Sequence, residues 1–367
     1  MTEWKEYKLG EIASFRTGKL NSNAAVENGK YPFFTCSPIT LSIDEYAFDQ
    51  KAILLAGNNA EGNFCIKYYE GKFNAYQRTY IIESNESKCN LKFLYYSLIL
   101  CLQEFKNISQ GTSTRFLTAV ILNNFKLMLP SLDTQRRIAS ILSSLDDKID
   151  LLHRENATLE QMAETLFRQW FVVEAKEEWE EKPLSSIAIF LNGLACQKYP
   201  PKNEIDKLPV LKIRELSSGI GNDSDWATTD VGVEYIVHAG DVIFAWSASL
   251  MVKIWDGEDC ILNQHLFKVT SDKYPKWFYY FWCKHHLDEF ISIAQSHATT
   301  MGHIKRNDLD TAMVLVPSDE ELLIMTEKMD GLLQKMENNN KQIQALIQTR
   351  DGLLPRLMGG ELKITEI

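Results

Sequence analysis

The apolar positions of this 367-residue chain follow two rules that alternate along it. Up to Pro130 they come in short runs suited to strands. "AILLAGNN" (Ala52–Asn59) is a partly β-branched apolar run ending in small polar residues, and "FKLMLP" (Phe125–Pro130) is an apolar strand closed by a proline. Between them "KFLYYSLILCLQEF" (Lys92–Phe105) is aromatic-rich, amphipathic and of helical length. After Pro130 the period becomes 3.5. Ile138, Leu145, Leu152, Leu159 and Leu166 recur every seven residues, with Leu142, Ile149, Asn156, Ala163 and Trp170 four residues after each. These are the d and a positions of a coiled-coil seam. Asp133 is the expected N-cap, and Asp146, Asp147 and Asp150 lie off the seam.

The whole pattern then returns. "WKEYKLGEIASFRTG" (Trp4–Gly18) and "WEEKPLSSIAIFLNG" (Trp179–Gly193) share seven of fifteen positions in register, where chance gives about one. "DVIFAWSA" (Asp241–Ala248) answers the first apolar run, and "ILNQHLFKV" (Ile261–Val269) answers "NAYQRTYII" (Asn74–Ile82), with Gln264 opposite Gln77. "KWFYYFWCKHHLDEF" (Lys276–Phe290) repeats the aromatic stretch, and "AMVLVP" (Ala312–Pro317) the closing strand. A second seam follows, with d positions at Met325, Leu332, Asn339, Leu346 and Leu353 and a positions at Met329, Met336, Ile343, Arg350 and Leu357. Gly359 and Gly360 stop it. The expected order is a globular domain over 1–130, a helix over 131–172, a second globule over 173–316 and a second helix over 317–367.

Composition changes this picture little. The chain is 45% hydrophobic and 24% charged, which excludes a fibre or a disordered tail. No apolar run approaches the roughly 18–20 residues of a membrane span, and Met1–Lys5 lack the apolar core of a signal peptide, so a cytoplasmic, membrane-free protein is expected. Seven cysteines without CxxC spacing fit a reducing compartment. The net charge of −10 is uneven: residues 1–130 carry 14 basic and 12 acidic groups, whereas 173–316 carry 14 and 21. A chain this acidic binds DNA more plausibly inside a complex whose other members supply positive surface.

Catalytic signatures are missing. There is no GxxxxGK[ST], HExxH or GxGxxG, and "GIGNDS" (Gly219–Ser224) lacks the last glycine. Asp49, Glu70 and Lys72 read as solvated surface charge. Cys283, His285 and His286 share one helix, but adjacent histidines point about 100° apart, so no metal is expected. Tyr95, Tyr96, Tyr279, Tyr280 and Trp282 fall at helical spacing among leucines and read as core rather than base-stacking platforms. The informative segments are loops: "RTGKLNSN" (Arg16–Asn23), "SQGTSTR" (Ser109–Arg115), "AWSAS" (Ala245–Ser249) and "TTMGHIK" (Thr299–Lys305). Small residues and hydroxyls let a backbone approach phosphate while a longer side chain reaches a base edge. Arg16, Lys19, Thr112, Ser113, Arg115, Trp246, Thr299, Thr300, His303 and Lys305 are therefore the expected DNA-facing residues.

Two diverged globules opening "W…L…IA.F..G", each closing on a proline, followed by "LDTQRRIASILSSLDDKIDLL" with Gln135, Arg136 and Ile138, resemble the specificity subunit of Type I restriction–modification systems. The resemblance covers essentially the whole chain; the second copy, "PSDEELLIM", keeps the proline and acids but not the glutamine. It implies an α+β fold of two pseudo-twofold-related α/β target recognition domains separated by an antiparallel two-helix coiled coil. It also implies a non-catalytic reader of a bipartite, asymmetric double-stranded DNA target. Two methyltransferase subunits carrying S-adenosylmethionine would dock on it, with ATP- and Mg-dependent restriction/translocase subunits joining; no cofactor is expected in this chain. Two alternatives stay open: the specificity subunit of a related system whose partner both methylates and cleaves, and a coiled-coil scaffold that binds proteins only. In an antiparallel pair an a residue layers against a d residue, so Asn156 should meet Asn339. Leu152 then faces Ile343, Ala163 faces Leu332, Trp170 faces Met325, and Leu145 faces Arg350, whose stem reaches past it to solvent.

Overall fold

The computed structural model describes residues 4–221, 223–296 and 302–362. The expected DNA-facing Thr299 and Thr300 lie outside the described residues. The chain divides into two compact units, one running up to Ile149 and resuming at Leu346, the other spanning Asp150–Ala345. Each combines a globule with part of both long helices, α5 (Leu132–Arg168) and α11 (Asp319–Met358).

In the first unit the strands are Lys5–Lys8 (β1), Ala13–Thr17 (β2), Tyr31–Phe34 (β3), Leu41–Ile43 (β4), Phe48–Ala56 (β5), Asn58–Asn59 (β6), Ile66–Ala75 (β7), Thr79–Ser84 (β8), Arg115–Phe116 (β9) and Lys126–Leu129 (β10). The helices beside them are Leu9–Ile12 (α1), Leu91–Leu100 (α2), Leu102–Ile108 (α3) and Ala119–Asn124 (α4). A six-stranded sheet has the order β2-β8-β5-β7-β3-β4, with β3 parallel to β7. Strand β5 is central, so its run Ala52–Ala56 is buried throughout instead of alternating. β1 and β10 pair separately and bring the two ends of the globule together.

The second unit repeats this plan. Its strands are Glu180–Pro183 (β11), Ile189–Asn192 (β12), Lys207–Leu211 (β13), Trp226–Thr228 (β14), Ile236–Val237 (β15), Val242–Ala245 (β16), Met251–Ile254 (β17), Cys260–Leu262 (β18), Leu266–Thr270 (β19) and Met313–Val316 (β20). Its shorter helices are Leu184–Ile187 (α6), Ile213–Ser218 (α7), Lys276–His285 (α8), Leu287–Ser296 (α9) and Arg306–Thr311 (α10). The orders β12-β19-β16-β17 and β14-β13-β18-β15 reproduce the first sheet, cut in two. Where β7 passes through Gly71 at φ 131°, the second copy breaks into β17 and β18. The parallel pair recurs as β13 and β18.

Each aromatic stretch is two helices, not one. The breaks fall at matching places, Cys101 (φ −87°, ψ −2°) and His286 (φ −84°, ψ −1°), where ψ near zero interrupts the helical ladder. The aromatic rings are core: Tyr96, Tyr279, Tyr280 and Trp282 are buried, and Tyr95 packs beside Tyr96, their ring centroids 5.2 Å apart. Their hydroxyls fasten each globule to α5. Tyr96 donates to Asp146 and Tyr280 to Glu160, both at 2.6 Å. Lys284 also donates to Glu160, at 2.8 Å, and to Glu164. Burial pushes the Glu160 carboxyl up, but the bonds from Lys284 and Tyr280 outweigh it and leave the group below its ordinary value.

The long helices depart from a bare a/d seam. Ile138, Leu142, Leu152, Ala163, Met329, Ile343 and Leu357 are buried on the seam, yet Ala139, Phe167, Leu333 and Leu354, all at e positions, are buried as well. A helix packed on one neighbour needs only a and d; one that also carries a globule needs a wider apolar stripe. Within the second unit the two helical segments run antiparallel, with Glu155 3.3 Å from Lys335 and Trp170 under the Lys328 ammonium at 6.0 Å. Asn339, 1% exposed, donates to Asn156 Oδ1 at 2.9 Å and to Glu155 at 3.1 Å, while Asn156 donates to Asn340 at 2.5 Å. Within the first unit Arg350 does not run out to solvent. It donates to Asp146 at 2.9 Å, which puts Asp146 at the helix contact and not away from it.

Ser131, not Asp133, caps α5: its hydroxyl accepts the Thr134 N–H at 3.3 Å, and Asp133 in the first turn pairs with Arg137 at 3.0 Å. The buried amide of Gln135 then clasps three backbone groups. Its Oε1 accepts from Asn90 N–H at 2.9 Å, and its Nε2 donates to the carbonyls of Lys88 (3.2 Å) and Pro130 (3.0 Å). The second copy has Leu322 at that place and locks the junction with Glu321 instead. Glu321 closes a capping box with Ser318, accepts the Trp179 indole N–H at 3.0 Å and pairs with Lys176. At its far end α11 stops in a Schellman turn, Gly360 at φ 72° and Glu361 N–H on the Arg356 carbonyl at 3.0 Å.

The Lys176 ammonium, the Ser318 cap and the Trp179 indole hold the Glu321 carboxyl down to about 2, against an ordinary 4.5. Because its folded value is depressed, the stabilisation is complete above about pH 4.5 and is lost as pH falls toward 2. The melting temperature of wild type should therefore exceed that of Glu321→Gln at neutral pH, and the gap should close across that window.

Candidate nucleic-acid interface

The repeated opening motif ends on a glycine because that glycine passes against a turn. In the first unit Gly18 N–H bonds to Thr79 O at 3.4 Å, and a Cβ there would lie 1.8 Å from Ala75 O. In the second, Gly193 N–H bonds to Leu266 O at 3.1 Å, and a Cβ would lie 2.3 Å from Asn263 O. The two turns, Tyr76–Thr79 and Asn263–Leu266, are built alike. Each is closed between its first and fourth residues, at 2.9 and 3.0 Å, and each has its glutamine N–H on a leucine carbonyl: Gln77 on Leu20 at 2.9 Å, Gln264 on Leu194 at 2.8 Å.

Three loops converge on this turn in the first unit. Gly57 N–H bonds to Arg78 O at 2.8 Å, and Gly57 O accepts Leu117 N–H at 2.9 Å. β6 pairs with β9, placing Asn58 opposite Phe116 and Asn59 opposite Arg115. The hydroxyl-rich loop closes on itself through Gln110 and Phe116, which exchange backbone bonds of 3.0 and 2.7 Å. Gly111 at φ 108° makes the bend, because a Cβ would sit 2.0 Å from Thr114 O. Thr112 and Ser113 are left exposed at the tip. Arg115 is half-buried and donates to Ser109 O at 3.3 Å, and the Arg78 guanidinium lies 5.3 Å over the Phe116 ring.

The second unit makes the same closure with other side chains. Trp246 N–H bonds to His265 O at 3.3 Å, Ile304 N–H to Trp246 O at 3.1 Å, and Ser247 bridges His303. Ala248 holds φ 57° and donates to Gly302 O at 2.9 Å, a left-handed conformation that tightens the loop. Trp246 stacks on Phe267 at 5.7 Å, donates to Asn192 at 3.1 Å and has His265 at 5.9 Å and His303 at 6.3 Å. His265 Nδ1 lies 3.1 Å from the Ser247 hydroxyl.

Lys19, Thr112, Ser113 and Arg115 thus belong to loops that meet in the first unit, and Trp246 and His303 meet in the second. Lys305 is exposed at the start of α10, where its N–H bonds to Asp308 at 2.7 Å. Arg16 is not brought to the loops: its guanidinium turns back along the sheet to Glu83 at 2.7 Å, Gln50 and the Phe48 ring at 4.9 Å. Sequence reasoning missed Arg78, Asn58 and His265. The signal was present, since "QR" and "QH" stand at the same place in the repeated stretch. Near Cys283, His286 Nε2 donates to Met313 O at 2.9 Å. Burial, then the neighbouring His286, pushes His285 below its ordinary value. Among the described residues no group of three or more His, Cys, Asp or Glu could hold a metal, and no helix is long and apolar enough to cross a membrane.

Gly193→Ala should cost about 1–3 kcal/mol, because backbone must move to admit the methyl group. Gly331→Ala, in α11 with nothing within 4 Å of its Cβ, should instead stabilise the chain by about 0.5–1 kcal/mol. Urea midpoints measured side by side check both signs.

Residues 1–161 and 176–348 match the family described as Type I restriction modification DNA specificity domain. The Type I restriction enzyme EcoDI specificity subunit of Escherichia coli is 38% identical over 187 residues, 49% of this chain and 40% of that protein, so the match spans two fifths of this relative's length. The MjaIX specificity subunit of Methanocaldococcus jannaschii is 26% identical over 305 residues, 75% of this chain and 70% of that one. The crystal structure of a Type I restriction–modification S subunit from M. genitalium shares the fold, with a TM-score of 0.59 at 14% identity over 97% of this chain and 96% of that one. With most of its length matched in two successive copies, this chain belongs to the Type I restriction–modification DNA specificity family.

Proposed function

We propose that this chain is a non-catalytic DNA reader that supplies a Type I restriction–modification complex with its target sequence. It reads a bipartite, asymmetric duplex site, one half-site per globule. It docks two methyltransferase subunits that bring S-adenosylmethionine, and ATP- and Mg-dependent restriction/translocase subunits join them. One observation carries this reading: the loop cluster is built twice on matching backbone bonds with different side chains, Arg78, Asn58 and Phe116 against His265, Ser247 and His303. A duplicated scaffold accounts for two half-sites, and diverged side chains account for their different sequences. The net charge of −10 makes the partners' positive surface part of the binding, so the test is made on the complex.

Copurified with its methyltransferase partner, the chain should retard duplexes carrying one bipartite motif and leave scrambled duplexes free. A complex that retards no duplex would leave the protein-only scaffold. Helix α5, at 37 residues, is about 55 Å long at about 1.5 Å per residue, enough to act as the spacer between half-sites. Deleting one heptad from both long helices should shift the preferred spacing; unchanged spacing would remove the ruler role.

The Asn156–Asn339 pair supports a second part of the reading, a register lock. In a slipped register each amide would face a leucine unsatisfied, at about 1–3 kcal/mol apiece. Replacing both by leucine should raise helix-pair stability and broaden the range of tolerated spacings. Unchanged stability together with unchanged spacing would rule the lock out.

A further inference from the structure

Arg78 occupies the centre of the loop cluster in the first unit, and its chemistry there is more specific than a basic surface. Its backbone is fixed from two sides, by Gly57 N–H on its own carbonyl at 2.8 Å and by the neighbouring Gln77 N–H on Leu20 O at 2.9 Å. Gly57 admits no side chain, because a Cβ would lie 2.4 Å from Arg78 O. The turn is therefore held between the Leu20, Gly57 and Gln110–Phe116 loops, whose outer residues Lys19, Thr112 and Ser113 are exposed around it.

Arg78 itself is exposed and its guanidinium rests 5.3 Å over the Phe116 ring, on a residue whose backbone is bonded to Gln110 and paired opposite Asn58. Stacking on a ring face leaves the in-plane N–H donors of an arginine available and limits its rotamers. Among the described residues Arg78 has no carboxylate within ion-pair distance. Arg16 is tied to Glu83 and Gln50, and Arg115 donates to Ser109 O. A cation that is central, stacked and unneutralised suits the bidentate O6/N7 edge of guanine. Flexible peripheral groups such as Lys19 suit phosphate.

The second unit places His265 at the equivalent point of the equivalent turn, beside the Trp246 ring at 5.9 Å, with its Nδ1 3.1 Å from the Ser247 hydroxyl. The same position thus carries a different hydrogen-bonding side chain beside an aromatic ring in each copy, as a specificity position should.

We propose that Arg78 is a base-reading residue that selects guanine at one position of the half-site read by the first unit. This rests on the DNA-reading function above. The test is selection from a randomised duplex pool by the complex with its methyltransferase partner, for wild type, Arg78→Ala and Arg78→Lys. Expected is a wild-type motif with guanine at one position whose preference falls about 10- to 100-fold in both variants. Every other position and the salt slope should keep their wild-type values. Lysine keeps the charge and stem, so it carries the test if thermal melting shows that the alanine variant fails to fold. Uniform weakening across sequences with a shallower salt slope would overturn the proposal in favour of a phosphate contact, and an unchanged motif would overturn it outright. A wild-type complex that selects no duplex would overturn the DNA-reading function itself, which is a different result.

Discussion

Two buried phenol hydroxyls, each of which must find an acceptor, govern how this chain is put together. Tyr96 and Tyr280 stand at the same place in two copies of an aromatic helix whose other buried side chains are mostly apolar. Each finds a carboxylate on α5, Asp146 or Glu160, at 2.6 Å. An apolar helix alone would pack on the long helices in many rotations, since hydrophobic burial is not directional. A short charge-assisted bond selects one of them. The cations that share those carboxylates, Arg350 and Lys284, keep a half-buried charge from standing alone.

The same economy of partners explains how the copies diverged without losing the fold. Both must turn from a closing strand through a proline into a long helix, and both must satisfy the backbone groups stranded at that corner. The first copy uses one neutral amide, Gln135, whose three bonds all go to backbone. The second uses a carboxylate, Glu321, with the Trp179 indole and Lys176. The loss of the glutamine is therefore compensated by a different chemistry, and that chemistry brings a sensitivity to acid that the first junction lacks.

At the opposite pole of each globule the backbone is conserved between the copies and the side chains are free to differ. Glycines at 18 and 193, and the paired glutamines 77 and 264, fix two like turns through matching main-chain bonds. Because the bonds that the two turns share are main-chain bonds, the next residue can be Arg78 in one copy and His265 in the other. This is how a single scaffold presents two different surfaces.

The sequence by itself determined the duplication, the period change from strand to heptad, the positions of the loops and the family. Each follows from local spacing, which neighbours in the fold do not alter. It also put Asn156 on an a position and Asn339 on a d position, and these amides lie side by side. Only the tertiary structure decided which flank of the helices would be buried, because the e positions Ala139, Phe167, Leu333 and Leu354 are covered by elements distant in sequence. It also broke each aromatic stretch in two, moved the cap of α5 to Ser131 and drew Asp146 into the helix contact. Among the cations it reversed the order of interest. Arg16, in a promising loop motif, is spent on Glu83 and Gln50 across neighbouring strands, whereas Arg78, inside an unremarkable strand-like stretch, stands where three loops meet. A side chain's availability depends on the charges that other segments place beside it, and one-dimensional spacing carries no record of those.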